Sequence, residues 1–405
     1  MLYQIYQTYE DSLAPLQSMA ASFGDVFGRS WFGFPQTQMQ RGFAAACQMF
    51  AEGRLQHSRP AFGIDSVTIG NTAVPVTEEN IRVTPFSTLL HFAKATPQPQ
   101  PRVLLVAPMS GHFATLLRHT VRTMLPEHDI YITDWHNARD VPLSAGDFDF
   151  DDFIDHVIQC LEVLGPNSHI VAVCQPVVAV LAAVALMAQA GNPCQPRSMT
   201  LMAGPIDTRI KPTKVDDLAM EHSIEWFEAN LISRVPACHT GARRQVYPGF
   251  LQIAAFMSMN LERHLRAFVR QFENLVDDDE KGVAAHKAFY EEYFAVMDLP
   301  ASFYLQTVNR IFQKHELARG VLVSRGRKIE PAAIRRTALL TVEGENDDIC
   351  SIGQTLAAQD LCKSIPMVRR NHHLQTGVGH YGVFSGRRWA TEVYPRVRQM
   401  IQSNN

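Results

Sequence analysis

Neither sign of charge dominates this chain. Its 37 Lys and Arg face 40 Asp and Glu, a net charge of -3, so there is no basic excess to hold a polyanion and nucleic acid is excluded as a partner. Cysteine is sparse and scattered. Cys47, Cys160, Cys174, Cys194, Cys238, Cys350 and Cys362 are odd in number and never form a CxxC pair, which argues against both a disulfide framework and a cysteine zinc cage and fits a reducing compartment. The first eleven residues carry no basic cluster and no apolar run of leader length before Glu10 and Asp11; a cytoplasmic location is expected. No internal repeat and no low-complexity tract stands out. His372-His373 is a bare pair without an acidic or cysteine partner at ligand spacing, so no metal and no cofactor is expected.

Long charge-free runs are also rare, with one exception. Residues 170–190, IVAVCQPVVAVLAAVALMAQA, contain no charge and are long enough to resemble a membrane span. Pro176 interrupts the run; β-branched residues dominate before it, Ala and Leu after it. That composition predicts a buried strand turning into a buried helix and no transmembrane segment.

At 405 residues and 46% apolar side chains the chain can bury a large core. Residues 1–60 mix Gln, Ala, Met and aromatics at helical spacing and predict an N-terminal helical segment packed on the main body. Short β-rich runs follow at Ser66-Val-Thr-Ile, Ile81-Arg-Val-Thr and Leu89-Leu-His-Phe, predicting antiparallel opening strands. After the break Pro97-Gln-Pro-Gln-Pro come strand-like runs from Arg102, Tyr131, His169 and Ser198, each but the last followed by a helix-like stretch, and a further apolar strand from Thr337. Alternating strand and helix predicts a mostly parallel, doubly wound α/β sheet, with residues 61–210 and 331–405 as its core. Residues 211–330 turn helical and aromatic and predict an inserted helical cap or lid.

Chemistry-bearing residues recur in a suggestive chain order. In Val171-Ala-Val-Cys-Gln-Pro a strand ends on Cys174 and turns into a helix, which places the thiol before free backbone N–H groups. The positions two before and two after it, usually Gly in G-x-S-x-G, are Ala172 and Pro176; proline is tolerated in a first helical turn. A lone cysteine in an apolar strand is more often an inert core residue. What distinguishes this one is the remainder of the set. Val342-Glu-Gly-Glu-Asn-Asp-Asp-Ile runs out of a strand with Asp347 or Asp348 as the acid, and Thr376-Gly-Val-Gly-His-Tyr-Gly places His380 in a glycine-rich loop. Nucleophile, acid, histidine is the order of the α/β-hydrolase fold. Cys174 and His380 would then carry out acyl transfer, with the oxyanion held by the N–H of Gln175 and an N–H at Met109 or Ser110 in the loop after the Arg102 strand.

The segments LLVAPMSGHFATLLR, ITDWHNARDVP, IVAVCQP, MAGPIDTRI, VEGENDDI and GVGHYGVFSGRRW resemble those of intracellular poly(3-hydroxybutyrate) depolymerases. The resemblance covers nearly the whole chain. It implies a cytoplasmic ester hydrolase acting on storage polyester granules or oligomeric esters through a Cys-Asp-His triad, carried here onto Cys174, Asp347 and His380. Asp347 is preferred because it opens the D-x-I pattern Asp347-Asp348-Ile349, which leaves Asp348 a surface or loop-bracing role. Polyhydroxyalkanoate synthases share the chemistry, but their elbow resembles G-x-C-x-G, which Ala172-Val-Cys174-Gln-Pro176 does not match. A catalytically dead granule-binding scaffold is the reading from another class, opposed by the intact triad order. His112 is a candidate for lining the pocket, and Trp135 and His136, after the second core strand, either line it or only brace it. Phe250, Ile253, Phe256 and Met257 of the cap either touch the granule or, as helical apolar spacing more commonly means, pack the cap. The oligomeric state, a homo-oligomer included, stays open.

Overall fold

The computed structural model describes residues 2–28, 37–96 and 99–405; Pro97 and Gln98, which open the expected proline-rich break, lie outside the described residues. A sheet of nine strands runs through the molecule. We number them β1 (Ser66–Ile69), β2 (Thr72–Val83), β3 (Ser87–Lys94), β4 (Arg102–Val106), β5 (Asp129–Trp135), β6 (His169–Val173), β7 (Ser198–Met202), β8 (Ala338–Gly344) and β9 (Arg370–Gln375). Their spatial order is β1-β2-β3-β5-β4-β6-β7-β8-β9. The first three pair antiparallel, β3 also pairs antiparallel with β5, and every pair from there to β9 is parallel. With helices on its faces this is the expected α/β-hydrolase fold.

Burial explains why these runs became strands. Every residue of β6, β7 and β8 is buried, as parallel strands covered on both faces must be. Their mostly apolar character follows, since no face is left in water, and the one carboxylate among them, Glu343, is held by backbone N–H groups. Helix Phe150–Leu164 starts on a capping box in which Asp149 Oδ1 accepts from the Asp152 N–H at 2.8 Å and Asp152 Oδ2 accepts from the Asp149 N–H at 2.9 Å. It packs beside helix Val177–Gln189, which is buried from Val177 to Met187 on all its sides. That helix spans only about 20 Å at the standard rise of about 1.5 Å per residue. Among the described residues no helix is long and apolar enough to cross a membrane.

The chain leaves β4 toward β5 on one side and returns to β6 on the other. This reversal makes the carboxyl ends of β4 and β6 a topological switch point, the place where open α/β sheets bind their ligands. The segment after β7 leaves the sheet, forms helices from Lys214–Glu221 to Ala301–Thr307, and rejoins it at β8, directly beside β7. Its last part returns to the core, where Phe303 stacks on Phe153 with ring centroids 5.4 Å apart. Two helices, Leu2–Phe27 and Gln38–Glu52, precede the sheet and pack on each other.

The sequence missed β9 altogether and saw only the end of β2. The missed strand, Arg-Asn-His-His-Leu-Gln, lies at the edge of the sheet and is largely exposed, so nothing selected an apolar period there. In β2, Val76 is the only buried residue, and Thr84, expected in a strand, lies just past its end.

Candidate active site

β6 ends at Val173, and the next residue takes a left-handed backbone conformation: Cys174 has φ +67°. For a residue with a side chain this costs about 1–2 kcal/mol, and the surroundings hold it in place. The Cys174 N–H donates to the Met202 carbonyl at 2.8 Å, while its own carbonyl accepts from the Val177 N–H at 3.2 Å. Pro176 is the N-cap of helix Val177–Gln189: its carbonyl accepts from the Val180 N–H at 2.8 Å, and its missing N–H leaves no intrahelical bond unmade. The expected departures from the glycine pattern, Ala172 and Pro176, are both buried. The close approach is provided from outside the motif. A Cβ on Gly204, just beyond β7, would lie 2.0 Å from Val177 Cγ2 and 2.5 Å from the Cys174 carbonyl oxygen.

Asp347 and His380 meet although 33 residues separate them: the His380 Nδ1–H donates to Asp347 Oδ2 at 2.8 Å, both side chains buried. The other oxygen, Asp347 Oδ1, accepts from the Ile349 and Cys350 N–H groups at 2.9 Å each. Burial alone would disfavour a charged imidazole. The negative charge of Asp347, then that of Cys174, and hydrogen bonds to both outweigh it and hold His380 well above the ordinary histidine range. With Nδ1 committed to Asp347, Nε2 is the ring nitrogen left for the thiol. Asp348 is exposed and accepts from Asn260 Nδ2 at 2.7 Å, so of two adjacent carboxylates one faces the imidazole and the other ties its loop to the cap.

The three expected oxyanion groups lie on the loops after β4 and β6. The Met109 N–H donates to Gln175 Oε1 at 3.3 Å; an amide oxygen therefore occupies the place a substrate oxygen would need. Gln175 Nε2 is buried without a partner. Ser110 is half-buried, and Gly111 follows at φ +97°, where a Cβ would meet Gln252 Cγ at 2.6 Å. The cap helix Gly249–Met259 thus lies directly on this loop.

Neither His112 nor Trp135 is an open wall. His112 is buried in the joint between core and cap: its Nε2–H donates to the Tyr293 carbonyl at 3.1 Å and its ring stacks on Phe256 at 5.7 Å. Burial lowers its pKa to about 4. Trp135 is 1% exposed, with Nε1 donating to the Ala107 carbonyl at 2.8 Å and its ring 4.6 Å from Phe153. It braces the end of β4 from inside the core, because the ring of a strand-end tryptophan fills volume that polar loops cannot. The cap residues Ile253, Phe256 and Met257 likewise pack within the cap, and Phe250 lies against Tyr3 and Tyr6 of the N-terminal helix.

Several groups at the site escaped the sequence. Tyr381, next to His380, feels the charge of Cys174 and lies 6.4 Å from the Tyr293 ring; burial, then these neighbours, raise its hydroxyl pKa, so it stays a protonated donor. The signal was its place in the histidine loop. Cys350 is a buried thiol whose pKa is raised by burial and by the charges of Asp347 and Cys174. Glu343, buried at the end of β8, accepts from the Gly353, Thr355 and Leu356 N–H groups at 2.8–3.0 Å and so fixes the loop behind the acid. All seven cysteines are free thiols. Among the described residues no group of three or more His, Cys, Asp or Glu could hold a metal ion. A cavity of about 220 Å³ between helix Gln38–Glu52 and the cap, lined by Arg54, Phe268 and Lys287 among others, is not lined by Cys174, Asp347 or His380.

Solved structures similar to this one include the 2-hydroxy-6-oxo-6-phenylhexa-2,4-dienoate hydrolase of Rhodococcus sp. strain RHA1, 13% identical over 81% of this chain and 99% of that one, with a TM-score of 0.45. A soluble variant of the monoglyceride lipase of Saccharomyces cerevisiae is 10% identical over 86% of this chain and 99% of that one, with a TM-score of 0.48. No curated protein matches the sequence. The family model described as PHB de-polymerase C-terminus matches residues 203–405, half of the chain and the half that carries Asp347 and His380. The chain belongs to the poly(3-hydroxybutyrate) depolymerase family and is an ester hydrolase built on the α/β-hydrolase fold.

Proposed function

We propose that the enzyme hydrolyses the ester bonds of intracellular poly(3-hydroxybutyrate), mobilising storage granules in the cytoplasm as 3-hydroxybutyrate oligomers and monomer. Cys174 is the nucleophile, His380 the general base and acid, and Asp347 the carboxylate that fixes the imidazole and offsets its charge. One observation carries this reading: Cys174, held at φ +67° at the end of β6, interacts with a histidine that is itself held by a buried carboxylate at 2.8 Å.

In the first half-reaction the sulfur, its proton held on His380 Nε2, forms a bond to the ester carbonyl carbon. The developing oxyanion is met by the Gln175 and Met109 N–H groups, with the Ser110 N–H adjacent, once the Gln175 side chain has moved aside. Collapse breaks the carbon–oxygen bond, and His380 returns its proton to the leaving alkoxide. Water then attacks the thioester with His380 as base, releasing the hydroxyacid and restoring the thiol. Gly249–Met259 and the helices after it act as a cap over the site. No cofactor takes part.

The test is 3-hydroxybutyrate release from native amorphous granules by the wild type, Cys174→Ala and His380→Gln, with a soluble short-chain ester in parallel. Loss of release in both variants supports the assignment. Unchanged release by Cys174→Ala sinks the nucleophile, and wild-type activity on the soluble ester alone replaces polymer hydrolysis with a general esterase.

A further inference from the structure

The first helix, Leu2–Phe27, presents two different faces. On one side it is anchored: the Tyr3 hydroxyl donates to the buried Asp298 carboxylate at 2.6 Å, and Tyr6 stacks on Phe250 of the cap at 4.0 Å. Beside that buried line runs a second, exposed one. Leu2, Ile5, Tyr9, Leu16, Met19 and Phe23 follow one another at three- and four-residue steps, with Ser12 filling the one polar place. Ile5 is 59% exposed and Met19 55% exposed. Such spacing puts them on one stripe along the helix, and a stripe of this length on a firmly seated helix is more than the scattered apolar residues of an ordinary surface.

The neighbouring helices extend it. Helix Gln38–Glu52 packs on the first through Gly24, where an added Cβ would touch the Ala44 carbonyl and the Gln48 amide, and it exposes Met39 and Phe43. Phe272 of cap helix Leu261–Val276 reaches within 3.8 Å of where a Gly42 Cβ would stand. That helix exposes Leu261, Leu265 and Val269. At its start Asn260 holds Asp348, the neighbour of the triad acid. Packed helices therefore link the N-terminal segment, through the cap, to the loop that carries Asp347.

We propose that these three helix faces are the docking surface for the solid polyester itself, an inference that rests on the polymer reading above. The chemistry selects the occupant. An aliphatic polyester presents methyl and methylene groups and carbonyl acceptors, with no charge and no donors along the chain. Its complement is an apolar face interspersed with neutral donors. Residues 2–27 contain no Lys or Arg at all, three acids, and Ser, Thr, Gln and Tyr as their other polar side chains. Anionic lipid headgroups would call for cations on that helix. A coiled coil with a second copy would call for charged pairs flanking the seam to fix its register, and the first helix has no basic partner for them. The cap helix does carry Arg263, Arg266 and Arg270, so the lipid alternative is tested directly.

The experiment measures sedimentation of full-length protein in the Cys174→Ala background with protein-free amorphous poly(3-hydroxybutyrate) particles and with phosphatidylglycerol vesicles. The variant is Ile5→Gln, Leu16→Gln, Met19→Gln and Phe23→Gln combined; the pair Met39→Gln and Phe43→Gln is a second, milder variant on the adjoining helix. Each set is also made with Cys174 intact and assayed on a soluble short-chain ester, which reports an intact fold and site. The expected result is a loss of particle affinity of about tenfold or more, since several apolar side chains lose their burial, with soluble-ester kcat/KM within about twofold. Unchanged particle binding by a folded variant overturns the proposal. So does tighter wild-type binding to vesicles than to polymer, or a wild-type dimer that the substitutions convert to monomer. Polymer binding without polymer cleavage leaves the docking surface standing and overturns only the hydrolytic reading.

Discussion

The elbow region and the N-terminal helix are both rich in apolar residues, yet they use them in opposite ways. Helix Val177–Gln189 is apolar all round and buried from Val177 to Met187. Helix Leu2–Phe27 buries Tyr3 and Gln17 on the body and leaves an apolar stripe exposed. The first follows directly on Cys174, the proposed nucleophile, whose left-handed backbone only close packing can over-determine. The second leaves surface available. Apolar content alone therefore does not say where a helix goes; what surrounds it does.

The sharpest contrast is expected in catalysis. Cys174→Ala or His380→Gln should lower ester hydrolysis by ~10⁴-fold or more, read as initial rates, with little change in melting temperature. Asp347→Asn should cost ~10²–10⁴-fold because the imidazole loses its orienting charge, whereas Asp348→Asn, on the same loop but exposed, should keep its rate within about twofold. Equal effects of the two would reassign the acid.

Next comes packing. Leu181→Ala in the elbow helix should destabilise by about 2–5 kcal/mol, while Leu16→Ala on the exposed stripe should stay within about 0.5 kcal/mol; urea midpoints of the two variants measure this. Gly204→Ala should disturb the elbow without touching substrate, because its Cβ would collide with Val177 and the Cys174 carbonyl. A variant that keeps full activity would show that the elbow can relax.

The smallest effect concerns the joint between the two layers. His112 is neutral in the folded protein, its pKa lowered by burial from 6.5 to about 4. The unfolded chain therefore takes up a proton that the folded one refuses as pH falls from about 6.5 toward 4. The His112 contribution to stability is fully present above this range and is lost through it. His112→Gln should make the fall in urea midpoint shallower between pH 6.5 and 4; an identical slope would show that the joint opens to solvent.

Much of this was legible because local chemistry was consistent. The five parallel strands β4 to β8 announced themselves as short apolar runs bounded by turns, and the chain order of Cys174, an acid and His380 pointed to one fold. Other features had no local signal. Edge strand β9 buries too little to show a period. The glycine that makes room for the elbow, Gly204, lies 30 residues from the cysteine, in the loop after another strand. The apolar cap residues Ile253, Phe256 and Met257 pack inward, whereas the helix Leu261–Val276, which the sequence did not single out, exposes Leu265 and Val269. Trp135 and His112 stand beside promising loops and turned out to be braces, since a loop residue's direction depends on what packs above it.

By itself the sequence determined which segments must be buried, which alternate as strand and helix, and in what order the reactive side chains occur, because those follow from periodicity and residue chemistry along one chain. The family pattern preferred Asp347, and only the tertiary structure decided that its carboxylate meets His380 while Asp348 turns to Asn260, that Gln175 fills the place at the Met109 N–H, and that the exposed apolar face lies on the helices it does. Each of these is a contact between segments tens of residues or more apart in sequence, and no local pattern encodes the direction in which two packed elements meet.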